Sequence, residues 1–196
     1  MILLLAGLVL FLGMHSIHIV ASDWRDARIA QLGYQRWKGV YSLASIVGFV
    51  LIIVGFGMAR KTSAPLWIAP PGMRHATELL TLIAFVLIAS TYVPNNPIKA
   101  SVRHPMVLGT ACWALGHLLA NGSGADALLF GAFFVWGIVS FVVDRGRDRN
   151  PNHFENASAS TGTASGAVVT VIVGVVAWVV FAFWLHGPLI GVRPFA

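Results

Sequence analysis

Apolar positions fall into six long unbroken runs, at residues 2–21, 39–59, 75–93, 104–120, 125–143 and 167–186. Each comes close to the ~20 residues that carry a helix across the hydrocarbon core of a bilayer. The runs are continuous and lack the two-residue alternation of a barrel strand. A segment in lipid must also satisfy its own backbone polar groups, so helices are the predicted elements. The pattern predicts an all-α polytopic membrane protein with six transmembrane helices, forming a single domain over residues 1–196. The first run begins at Ile2 without the basic leader and small-residue cleavage site of a removable signal peptide, so it is expected to remain as the first helix.

The polar connections differ in kind. Residues 22–38 mix Asp23, Arg25, Asp26, Arg28, Arg36 and Lys38 with Trp24, Ile29, Leu32, Tyr34 and Trp37, which suits a short helix lying at headgroup level. Residues 60–74 contain Pro65, Pro70 and Pro71-Gly72 and should be irregular. Only a few residues around 121–124 join the fourth run to the fifth, which makes those helices antiparallel neighbours. Residues 144–166 begin with alternating charges and become an Ala/Ser/Thr/Gly tract, expected to be flexible.

Composition agrees with a lipid environment: the chain is 57% hydrophobic and 10% charged, against about 25% charged in a soluble domain. The formal charge of +6 does not point to nucleic acid, because the basic residues sit in short connections between apolar runs. With the N-terminus outside, the inner connections hold nine Lys and Arg (Arg25, Arg28, Arg36, Lys38, Lys99, Arg103, Arg145, Arg147, Arg149) and the outer segments four (Arg60, Lys61, Arg74, Arg193). That asymmetry favours both termini outside the cytoplasm. The single cysteine, Cys112, excludes an intramolecular disulfide.

Candidate chemistry rests on histidine. His153 lies in the polar connection, and His18, His75, His104 and His186 fall near predicted helix ends, where an imidazole reaches water or headgroups. His15 and His117 are flanked by apolar residues on both sides. An uncompensated buried polar group costs on the order of 1–3 kcal/mol, so each needs a side chain, a water or a metal as partner. Neutral imidazole is a common axial ligand of haem iron. Trp113 precedes His117 by four residues, and Phe11 stands in the same relation to His15. Gly109, Cys112, Gly116 and Ala120 form a small-residue stripe that would admit a flat macrocycle or a closely packed helix. One geometric tension is visible: at ~1.5 Å per residue His15 lies roughly 20 Å below the outer end of its helix, and His117 about 5–10 Å below the outer end of its own. Glu78, about one turn into the third helix, reads as a helix-terminal charge or a proton contact.

The blocks Phe11-Leu12-Gly13-Met14-His15-Ser16, Tyr41-Ser42-Leu43, Arg103-His104-Pro105-Met106 and Trp113-Ala114-Leu115-Gly116-His117-Leu118-Leu119-Ala120-Asn121-Gly122 carry a resemblance to the NnrU family of bacterial membrane proteins over nearly the full length. The resemblance implies a role linked to denitrification and nitric oxide metabolism. The same domain looks similar to plant 15-cis-zeta-carotene isomerase, a haem b enzyme, which implies axial histidines at His15 and His117. A cysteine used for redox ligand exchange there falls on Ala114 here, and Cys112 is not at the matching position. The expected cofactor is therefore haem b, with His15 and His117 on the iron and Trp113, Arg103, Arg36 and His104 as further cofactor-binding candidates. Two other functions follow from the resemblance: a haem-dependent cis–trans isomerase of a polyene, and a non-enzymatic membrane partner of nitric oxide reductase components. Arg103-His104-Pro105 also resembles a motif of membrane isoprenylcysteine methyltransferases, over three residues only and with no accompanying acidic site.

Overall fold

In the computed structural model, which describes residues 1–149 and 162–195, helices α1 (Ile2–Val20), α2 (Ser22–Leu32), α3 (Tyr34–Thr62), α4 (Met73–Tyr92), α5 (Pro97–Val102), α6 (Pro105–Ala120), α7 (Gly124–Arg147) and α8 (Ala164–Val180) follow one another. A π-helical turn (Phe181–Leu185) then leads into α9 (His186–Ile190). Among the described residues the one extended pairing is an isolated bridge between Pro65 and Ser123. The protein is thus all-α and multi-pass: α1, α3, α4, α7 and the continuous helix over 164–190 are long and apolar enough to cross a membrane.

The fourth predicted span, residues 104–120, is α6, which keeps those bounds to within one residue. α6 has 16 residues, about 24 Å at 1.5 Å per residue, against a hydrocarbon core of about 30 Å. Its start is fixed by Arg103, which takes a positive φ of 66°, and by Pro105 in the first turn, where the missing N–H costs nothing. The predicted interfacial helix is α2; Gly33 ends it at φ 78°, so Tyr34–Lys38 joins α3 instead. The connection expected to be flexible over 144–166 is narrower than that. Asp144–Arg147 completes the last turn of α7, and α8 is capped by Thr163, whose Oγ1 accepts the Gly166 N–H at 3.0 Å. Residues 150–161 lie outside the described residues.

Two packed groups make the bundle. Leu4, Leu8, Ile52, Ala59, Ala125, Leu129 and Phe130 form the buried cluster of α1, α3 and α7. The helices approach closely because glycine faces backbone: a Cβ on Gly7 would stand 2.6 Å from the Ile52 nitrogen. In the second group α4 packs on α6 and α8. A Cβ at Gly109 would meet the Ala84 carbonyl at 3.0 Å and one at Gly116 the Leu80 Cβ at 3.2 Å, so the small stripe of α6 serves helix packing against α4. Thr77 Oγ1 donates to the Gly116 carbonyl at 2.7 Å across that contact. Outward-facing side chains such as Val9, Ile46, Ile53 and Val142 are largely exposed, which marks faces suited to lipid.

Asn96 ties α4 to α5. It is 3% exposed, accepts the Lys99 N–H at 2.8 Å, and donates to the carbonyls of Ser90 and Val93. Asn96→Ala strands several buried partners at about 1–3 kcal/mol each. The melting temperature in detergent, followed by circular dichroism, is expected to fall by roughly 5 °C or more.

Candidate functional site

Three imidazoles are fixed in one tautomer by backbone carbonyls. Nδ1 of His15 lies 2.7 Å from the Phe11 carbonyl, Nδ1 of His117 2.9 Å from that of Trp113, and Nδ1 of His186 2.7 Å from that of Val192. A carbonyl only accepts, so each Nδ1 carries the hydrogen and each Nε2 keeps its lone pair. No described residue hydrogen-bonds those Nε2 atoms. This is the tautomer used by metal-ligating histidines, whose outer nitrogen is anchored by a carbonyl or carboxylate.

His117 and His186 meet. Their ring centroids are 6.5 Å apart and their planes differ by 14°. Two imidazoles ligating one metal from opposite sides have centroids about 6 Å apart, given metal–nitrogen bonds of about 2 Å and a centroid about 1 Å behind each nitrogen. The position of His186 has a local cause. Pro188 cannot donate to the Trp184 carbonyl and its ring crowds that oxygen. The helix instead widens into the π-helical turn, where the His186 N–H reaches the Phe181 carbonyl. Such turns re-aim the side chains that follow them. The tail beyond is clamped by Arg60 on the Ile190 carbonyl at 3.0 Å and by Arg74 on the Pro194 carbonyl at 2.6 Å. Aromatic rings flank the pair: Phe130 stacks on His117 at 4.8 Å, Trp113 lies at 5.2 Å, and Phe181 meets His186 edge-on at 5.7 Å.

His15 stands apart from this pair. Its ring neighbours are Phe11 at 4.2 Å, Tyr41 at 5.4 Å and Trp136 at 6.1 Å, none of which touches His117. A chain of rings separates the two: Phe11 to Phe133 at 5.9 Å, and Phe133 to Trp113 at 5.7 Å. On α7, His15 is level with Trp136 and His117 with Phe130, a difference of six residues, or about 9 Å of helix. The depth mismatch visible in the sequence is therefore present in the fold. His15 and His117 thus sit at different depths with aromatic rings between them, while the centroid spacing of His117 and His186 is close to that of two imidazoles on one metal.

The remaining candidates lie elsewhere. Arg103 and His104 sit at the opposite end of α6, where both reach Asp148 Oδ2, at 3.5 and 3.0 Å. Arg36 is exposed on the first turn of α3. Cys112 is a partly buried free thiol, and Ala114 is fully buried. Glu78 pairs with the exposed His75 at 3.2 Å, and His18 with Asp144 at 3.5 Å. His153 lies outside the described residues. Sequence reasoning missed His186 and Asp148, since each acquires its role from a partner more than forty residues away. The Gly187-Pro188 step after His186 was the one local signal of a disturbed helix end.

A polytopic helical frame with two histidines set among aromatic rings near one end defines a multi-pass membrane protein. The chain belongs to the NnrU family: the family model described as NnrU protein matches residues 3–194. No curated protein and no solved structure matches it.

Proposed function

We propose that the protein binds a b-type haem between His117 and His186 and serves electron or ligand chemistry in nitrogen-oxide metabolism at the bacterial inner membrane. The observation that carries this reading is the pair of nearly parallel imidazoles 6.5 Å apart, each with Nδ1 held by a carbonyl and Nε2 unengaged. A bare ion is a poorer fit than haem. Among the described residues no group of three or more His, Cys, Asp or Glu side chains gathers, and two imidazoles leave a metal ion short of ligands. A haem brings four nitrogens of its own and needs only two from the chain.

A haem held by His117 and His186 would supply one-electron redox chemistry. The chain's own residues do the rest. The Trp113 and Val192 carbonyls fix the ring tautomers and raise ligand basicity. Phe130, Trp113 and Phe181 exclude water. His186 would be held at the end of the last helix, with the tail after it tied down by Arg60 and Arg74. The absence of a thiol at Ala114 removes the redox ligand exchange that the isomerase resemblance would require.

The test is the absorption spectrum of protein purified in mild detergent from cells supplied with haem precursor. The expected result is a Soret band that sharpens and shifts on dithionite reduction, at about one haem per chain. Colourless, folded protein that takes up no added hemin would overturn the reading.

A further inference from the structure

At the end of the bundle opposite the histidine pair, we infer a binding site for a phosphate-type anion, formed where the link between α5 and α6 meets the last turns of α7. Arg103, Arg145, Asp148 and Arg149 line a cavity of about 350 Å³ there. Its charged lining is thus three arginines against the single carboxylate of Asp148. That carboxylate is already shared between Arg103 at 3.5 Å and His104 at 3.0 Å, so the cavity keeps an excess of positive charge. Arg145 lies in the last turn of α7 and Arg149 just past its C-cap, and both line the cavity.

The backbone at Arg103 adds an independent observation. Arg103 is one of two non-glycine residues with positive φ among those described, at 66°. Its N–H is held by the Lys99 carbonyl at 2.7 Å, and the next N–H, of His104, by the Val102 carbonyl at 2.8 Å. A long side chain in this backbone region is strained, and such strain persists where the surroundings require it. Here it turns the guanidinium back toward Asp148 and the cavity rather than along the helix. A guanidinium fork matches the paired oxygens of a phosphate. The lysine and arginine asymmetry of the chain puts this end at the cytoplasmic leaflet, where basic pockets between helices receive anionic headgroups. The shared chemistry is a phosphate oxyanion, carried either by an anionic phospholipid or by a soluble phosphate compound.

The experiment uses the full chain and two probes. In nanodiscs of mixed phosphatidylglycerol and phosphatidylcholine, native mass spectrometry should show phosphatidylglycerol retained in preference. Arg103→Gln and Arg145→Gln should each reduce that retention about fivefold, while Lys61→Gln, at the other end, leaves it unchanged. Arg149→Gln leaves the Arg103–Asp148 pair in place and should act in the same direction, which covers the case in which the Arg103 variant fails to fold. In lipid-free detergent, titration with inorganic phosphate reports the soluble source: heat abolished by the same substitutions, without phosphatidylglycerol preference, assigns the site to a soluble phosphate compound. Equal loss in Lys61→Gln, or retention and phosphate heats that ignore all three arginines, would overturn the site.

Discussion

Replacing His117 by alanine is expected to lower bound haem by more than about tenfold, a scale that even changes to outer-shell partners of a metal ligand can reach. The argument is positional. His117 offers an Nε2 atom whose tautomer the Trp113 carbonyl sets at 2.9 Å, and among the described residues no other imidazole is a ring neighbour of His186. Loss of the ring also leaves a gap against Phe130 and Trp113, so folding must be monitored beside haem content. Pyridine haemochrome assay of the monodisperse fraction separates the two effects: the variant should elute as the parent protein does and be nearly colourless. Full haem content in His117→Ala would remove this residue from the site.

The second large effect concerns packing. Gly55→Leu should abolish monodisperse expression, because a Cβ at that position already overlaps the Leu4 backbone of α1. Overpacking costs about 1–3 kcal/mol where side chains can move, and more where the obstacle is backbone. Gly57→Leu, two residues along the same helix, meets nothing within 4 Å and should behave as the parent does. Size-exclusion profiles of the two variants provide the comparison; similar profiles would mean that α1 and α3 do not approach at Gly55.

The frame was legible in the sequence because lipid imposes a simple rule: long apolar runs become helices. The boundaries shifted where local chemistry intervened. Gly33 broke the amphipathic segment after Leu32, whereas α6 begins at Pro105, one residue past its predicted start. The small stripe of α6 allowed two readings, and only the packing partner, α4, separated them. His117 was legible as a buried imidazole. His186 was not, since its position near a helix end suggested solvation, and its partnership depends on a π-helical turn and a folded-back tail. His15 shows the reverse case. Its apolar flanks marked it correctly as enclosed, but enclosure by Phe11, Tyr41 and Trp136 places it on the far side of a wall of rings from His117.

Electron paramagnetic resonance of the ferric protein tests most directly which imidazoles hold the haem iron. The parent protein should give the low-spin signal of two axial imidazoles. His186→Ala should convert it to a high-spin signal, and His15→Ala should leave it unchanged. A high-spin signal in His15→Ala with an unaltered His186→Ala would contradict the assignment and return the second ligand to α1.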